Sequence, residues 1–137
     1  MATWSKFNAF VEALAEGKHD LGADTLKIML TNTAPDAADA LKSDITEISA
    51  GNGYTAGGSA VTVTASEQTS GTYQLTADPL VFTATGAIGP FRYAVLYNDD
   101  APSDELIAWS DIGSITMANS DTLTITFDGT NGVLRLT

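Results

Sequence analysis

From Ala60 onward the chain repeats one pattern: a short run of alternating polar and apolar residues, then a turn. The runs are AVTVTA, TYQLTA, LVFTAT, FRYAVLYN, ELIAWSD, TLTITF and GVLRLT. Their Thr, Val, Ile and aromatic residues suit a pleated, half-buried surface, and a period of two sends alternate side chains to opposite faces. The breaks between them, TSG, TGAIGP, NDDAPSD, ANSD and DGTNG, carry turn chemistry. About eight short strands at this spacing define a mainly β fold, an antiparallel β-sandwich or jelly roll. Helical patterns are not interleaved with the strands, which argues against a doubly wound α/β sheet.

Nearer the amino end the period changes. Trp4, Phe7, Phe10, Val11 and Leu14 fall at helical spacing, with Thr3 placed to cap the start and Gly17 to end the helix. The expectation is one N-terminal amphipathic helix over residues 4–16, about three and a half turns. After the turn-like KHDLGAD, Leu26, Ile28 and Leu30 alternate with Lys27, Met29 and Thr31, as in a strand with one buried face. Thr33 to Ser43, rich in Ala and Asp, is a candidate for a short helix. With no internal repeat and no linker, residues 1–137 read as one domain, the helix packed on a sandwich over about residues 24–137.

A chain of 137 residues can bury roughly two-thirds of its unfolded surface without a staple. It has no cysteine, which excludes disulfides, thiolate zinc sites and a cysteine nucleophile. Seventeen acids against six lysines and arginines give a net charge of −11. Nucleic acid is therefore not an expected partner, because phosphates need cations that this chain lacks. The same holds for an anionic membrane surface, whereas a basic protein surface would suit the charge. No apolar run approaches the ~20 residues of a membrane helix, and the amino end lacks the basic start and apolar core of a secretory signal. A soluble protein made in the cytoplasm is expected.

Four stretches invite a chemical reading. GNGYTAGG, residues 51–58, resembles a phosphate cradle in glycine content only. A cradle needs a helix and, in a Walker loop, a lysine directly after it, and here AVTVTA follows. A loop anchored by Tyr54 is expected instead. NDDAPSDE, Asn98 to Glu105, holds enough carboxylates for calcium but lacks EF-hand spacing, so a solvated acidic loop is expected. His19, the only histidine, stands just past the helix end, where a partly charged imidazole would meet the helix dipole. Arg92, within FRYAVLYN, is expected in a central strand and paired with Glu47 or Asp111. Alternation puts Phe91 on one face with Tyr93, Val95 and Tyr97, opposite Arg92, Ala94 and Leu96. These readings name no catalytic residue, no metal ligand and no cofactor, and the expectation is a non-enzymatic protein.

Several segments together resemble a family of small virion structural proteins of tailed bacteriophages. They are WSKFNAFVEALAEG, DTLKIMLTNTAP, EISAGNGYTAGG, FRYAVLYND, LIAWSDIGS and DTLTITFDGTNGVLRL, spanning nearly the whole chain. The resemblance implies a jelly-roll-like capsid decoration (cement) protein that binds the assembled head, with the major capsid protein as partner. It also implies self-association into a dimer or trimer and a place on the capsid surface of the virion. Members also carry tail-fibre labels, so a tail component contacting the host surface is the alternative reading, and a small carbohydrate-binding sandwich is a third. Interface anchors are expected to be aromatic or arginine residues, and the candidates are Trp4, Tyr54, Arg92, Tyr97 and Trp109. Each of the five also suits a core position.

Overall fold

The computed structural model of the chain describes residues 3–128 and 130–137. In chain order its elements are β1 (Ser5–Lys6), α1 (Asn8–Ala15), β2 (Leu26–Thr31), a 3-10 turn (Lys42–Asp44), β3 (Ser59–Ala60) and β4 (Val63–Thr69). They continue with β5 (Thr72–Ala77), β6 (Leu80–Thr83), β7 (Ile88–Asn98), β8 (Leu106–Met117), β9 (Thr122–Ile125) and β10 (Leu134–Leu136). The mainly β, antiparallel expectation with one helix near the amino end holds. A five-stranded sheet runs β1-β8-β7-β2-β3, a three-stranded sheet β10-β5-β4, and β6 pairs with β9.

One apolar cluster joins the three sheets in a sandwich-like arrangement. Leu26, Ile28, Leu30, Ala94 and Leu96 from the large sheet meet Leu75 of β5, Phe82 of β6 and Ile125 of β9. Burying each large side chain of this kind stabilises the fold by roughly 1.5–3 kcal/mol. A second cluster, Phe7, Met29, Val95, Tyr97 and Leu106, lies on the opposite face of the large sheet. β2 is therefore buried on both faces, not one: Met29 and Thr31 are as fully covered as Ile28. The cover is the long β2–β3 connection, which packs Ile45 on Met29's cluster and receives a hydrogen bond from the Tyr97 hydroxyl at Gly57 O, 2.6 Å.

The helix is shorter than its periodicity suggests. Residues 4–7 are not helical, because Ser5 and Lys6 pair with Trp109 and Ala108 at the edge of β8. Thr3 consequently caps nothing; the N-cap is Phe7, without a side-chain hydrogen bond, and the Asn8 N–H goes to Ala37 O at 2.9 Å. Eight residues are too few for a helix to persist alone, so α1 is held by Phe10 and Ala13, both buried. At the period of the α-helix, Phe7, Phe10, Ala13 and Leu14 span an arc of about 120° and Val11 falls just past its end. Val11 is accordingly exposed. Gly17 does end the helix. At φ +76° it forms a Schellman closure in which Lys18 N–H reaches Ala13 O and Gly17 N–H reaches Leu14 O.

Two further expectations change. AVTVTA is not one strand: Ser59–Ala60 closes the large sheet and Val63 opens the small one, so the chain changes sheets at Val61 and Thr62. In β7 strict alternation fails at Phe91. Its partner is Ile115, whereas the partner of Tyr93 is Asp111, so β8 carries extra residues there and the ladder bulges. Across this irregularity Phe91 joins Ala94 and Leu96 in the main cluster, while Val95 and Tyr97 face the other way. The segment 33–43 forms no α-helix: it holds a turn closed by Asp39 N–H on Asp36 O, a bridge from Leu41 to Glu105, and the start of the 3-10 turn.

Candidate interaction surface

GNGYTAGG is a hairpin and a crossing, built from two different glycine requirements. Gly51 and Tyr54 exchange backbone hydrogen bonds at 2.8 and 3.1 Å, with Asn52 at φ +54° and Gly53 at φ +94° between them. That is an Asn-Gly type I′ turn. Further on, Gly58 passes so close to β2 that a Cβ would sit 1.8 Å from Ile28 O. Only glycine lets two backbones approach like this. No helix follows the loop; the N–H groups of Gly51, Tyr54 and Gly58 close turns, and that of Gly57 goes to the Glu47 side chain.

Between these glycines, Tyr54 is directed into the protein. It is 3% exposed and lies 6.1 Å from the Phe82 ring. Its hydroxyl donates to Glu47 Oε1 at 2.6 Å and accepts Leu30 N–H at 3.0 Å. Burial, reinforced by the bond to Glu47, pushes the phenol far above its ordinary pKa. The same carboxylate oxygen accepts Gly57 N–H at 2.6 Å. Glu47 is partly exposed and lines a groove of about 410 Å³ together with Thr46, Ser49, Asn52, Ile88 and Pro90.

Arg92 does sit on the central strand β7, and of its two expected partners it takes Asp111. Nε and one terminal nitrogen each lie 3.0 Å from a carboxylate oxygen, a forked pair. The pair holds the Asp111 carboxyl below its ordinary range and raises the guanidinium. Both side chains remain about half exposed, 49% and 47%. The guanidinium also lies 5.8 Å from the ring of Tyr93, itself partly exposed. One strand across, Trp109 pairs with Val95 and packs on Phe7 at 4.5 Å, keeping part of its ring at the surface. Arg92, Tyr93, Trp109 and Asp111 thus come together along adjoining positions of β7 and β8.

The other candidates are placed differently. Tyr97 is fully buried, under the Lys42 ammonium at 5.1 Å, and burial raises its phenol. Tyr54 and Tyr97 are therefore core residues, which corrects their expected role as interface anchors; both hydroxyls are committed to internal hydrogen bonds. Trp4 stacks on Phe127 at 5.5 Å and donates its indole N–H to Thr126 O, away from the Trp109 group and on the main-cluster side. The Tyr54–Glu47 bond was out of reach of sequence reasoning, since nothing in the spacing ranks Glu47 above its acidic neighbours. Tyr93 was visible as an aromatic on the Arg92 strand but lacked a second signal.

The acidic loop spends its carboxylates locally. Asp99 pairs with Lys27 at 2.9 Å, Asp100 accepts Thr25 N–H at 2.6 Å, and Glu105, buried, accepts Ser103 N–H at 3.0 Å. Among the described residues, no cluster of three or more metal-ligating side chains forms. His19 is not a charged cap at the helix end but a buried residue, 7% exposed, packed on Phe10 at 5.2 Å. Asn98 Nδ2 lies 3.0 Å from His19 Nδ1 and donates to Asp24 at 2.7 Å. Amide hydrogens can only donate, so Nδ1 accepts and the ring proton rests on Nε2. Burial lowers the imidazole pKa, against the opposing pull of Glu105 and Asp24.

Fold and surface define a class: an acidic, antiparallel β protein with an arginine–aromatic group on one sheet face. No family model, no curated protein and no solved structure matches the chain. No helix among the described residues is long and apolar enough to cross a membrane.

Proposed function

We propose that the chain is a non-enzymatic virion structural protein, a decoration protein that binds the outside of an assembled bacteriophage capsid and bridges its subunits. The observation that carries this reading is the group Arg92, Tyr93, Trp109 and Asp111. It places the residue types that dominate protein interfaces on one accessible strand pair. The phage context comes from the family resemblance, which rests on segments such as EISAGNGYTAGG and LIAWSDIGS. The charge of −11 fits a basic docking surface. Many copies on one shell would turn modest single contacts into tight retention.

The test is reconstitution. Purified protein added to expanded capsids that lack it rebinds at a fixed stoichiometry and raises their resistance to heat. Copies confined to tails move the assignment to a tail component. Failure to bind either structure removes the virion reading.

A further inference from the structure

Asn98, at the end of β7, is fully buried, and its side-chain amide is engaged on both sides. Oδ1 accepts the N–H groups of Asp100 and Ala101 at 3.0 and 3.1 Å, closing the first turn of the acidic loop. Nδ2 donates to Asp24 Oδ2 at 2.7 Å and to His19 Nδ1 at 3.0 Å. Two backbone donors on one side and a carboxylate on the other leave this amide a single satisfied orientation. His19 is tethered through it alone: its other ring nitrogen, Nε2, is buried without a hydrogen-bond partner among the described residues.

We propose that His19 and Asn98 form a proton-operated latch on the acidic loop, closed while the imidazole is neutral and released when Nδ1 takes a proton. A protonated Nδ1 faces Asn98 Nδ2 donor to donor. Turning the amide over does not relieve this, because its NH2 would then meet the two backbone N–H groups and Oδ1 the Asp24 carboxylate. The relief that remains is Asp24 itself. Its Oδ2 already shares Asn98 Nδ2 with His19, and a carboxylate bonds an imidazolium more strongly than an amide does. Once Asp24 is drawn to His19, the buried Asn98 NH2 has no acceptor, which disfavours the closed position. The turn at Asp100 and Ala101 then loses its anchor.

The charges around the ring set the pH of release. Asp24 faces it from the approach to β2 and Glu105 from just before β8, and both favour the cation. Lys18 stands 3.9 Å from Glu105, and Asp20 is exposed beside the ring. The uncharged neighbours are Phe10 on α1 and, across a shallow groove, Ser66 and Tyr73 of the small sheet. Burial outweighs the two carboxylates, so the folded ring stays neutral until the pH falls below the ordinary 6.5. The latch uses no part of the decoration reading, and its test uses no capsid.

The test is NMR on the intact protein from about pH 7.5 down to acid unfolding, following the His19 ring nitrogens and backbone amide exchange together. The neutral ring should carry its proton on Nε2. As the ring titrates, protection of the Asp100 and Ala101 amides should fall about tenfold, with the same midpoint. The amides of Asn98 and Asp99, which go to the backbone carbonyls of Glu105 and Thr25, should stay protected through it. His19→Gln offers Asn98 a side-chain oxygen that gains no proton, and it should keep Asp100 and Ala101 protected over the same range. Protection that is unchanged through the His19 midpoint, that falls at another pH, or that falls equally in His19→Gln overturns the latch. So does a neutral ring protonated on Nδ1, or a ring that stays neutral until the whole chain unfolds. The ring and amide midpoints are both read in the native chain, so they decide the question even if His19→Gln does not fold.

Discussion

The Tyr54 hydroxyl bridges two chain segments, donating to Glu47 Oε1 at 2.6 Å and accepting the N–H of Leu30 at 3.0 Å. A β2 amide is thereby satisfied by a side chain from the glycine-rich hairpin, and the hairpin is pinned to the large sheet by one oxygen. Removing that oxygen strands a buried donor, which is more expensive than losing a bond between exposed groups.

Tyr54→Phe should therefore lower unfolding free energy by about 1–3 kcal/mol in urea titrations. Tyr54→Ala adds a cavity and should cost about 3–5 kcal/mol. A Tyr54→Ala variant with unchanged stability but lost partner binding would return this residue to an interface and refute its place in the core.

The glycines allow a sharper comparison. Gly17 and Gly58 share nearly the same dihedral, φ +76° and +79°, but a Cβ at Gly17 meets nothing within 4 Å whereas one at Gly58 would lie 1.8 Å from Ile28 O. Gly17→Ala should show only the left-handed backbone penalty, about 1–2 kcal/mol. Gly58→Ala must in addition displace a β2 carbonyl and should be clearly worse in the same denaturation assay. Equal losses would mean that the backbones at Gly58 and Ile28 can part without cost.

Acid should weaken the packing around His19. Its folded pKa lies below the ordinary value of 6.5, so between those two pH values the unfolded chain binds more protons than the folded one. The contribution is fully present above about pH 6.5 and is lost as pH falls through that window. Protonation also turns Nδ1 into a donor facing the Asn98 amide, so the contact at 3.0 Å becomes donor against donor. Asp24 and Glu105 oppose the effect by favouring the cation, and Lys18 lies 3.9 Å from Glu105. The exposed carboxyls of Asp44, Asp100, Asp111 and Asp128, held low mainly by hydrogen bonds, fail only at lower pH. Urea unfolding at pH 7.5 and 5.5 should show a drop in the native chain that His19→Gln largely removes. The same drop in His19→Gln would assign it to other groups.

Most of the strands were legible, because alternation and turn residues are local signals; the type I′ turn at Asn52-Gly53 was not, since only a loop anchored by Tyr54 was expected there. What else was not legible depends on contacts distant in sequence. Trp4 to Phe7 keep helical spacing, yet Ser5 and Lys6 become a strand once the edge of β8 is beside them. Phe91 sits by alternation with Tyr93, yet the ladder is irregular between them and Phe91 packs with Ala94 and Leu96 instead. His19 has the sequence position of a helix cap, but Asn98, which bonds it, is 79 residues away. At the surface, residue type selected Tyr54 and Tyr97 alongside Arg92 and Trp109, and only burial separates the two kinds.

That separation gives the last prediction. Arg92 and Asp111 are about half exposed, where an ion pair adds little to stability and is screened by salt. Arg92→Ala should leave the melting temperature nearly unchanged while reducing capsid binding, if the β7–β8 face is the docking surface. Trp109 contributes on both sides, through its contact with Phe7 at 4.5 Å and through its exposed edge, so Trp109→Ala should lower both melting temperature and binding. Trp4→Ala removes the stacking on Phe127 at 5.5 Å and should lower melting temperature alone. Melting by circular dichroism and capsid co-sedimentation, run on all three variants, read the two effects independently. Unimpaired binding by Arg92→Ala and Trp109→Ala together would move the docking surface off this face.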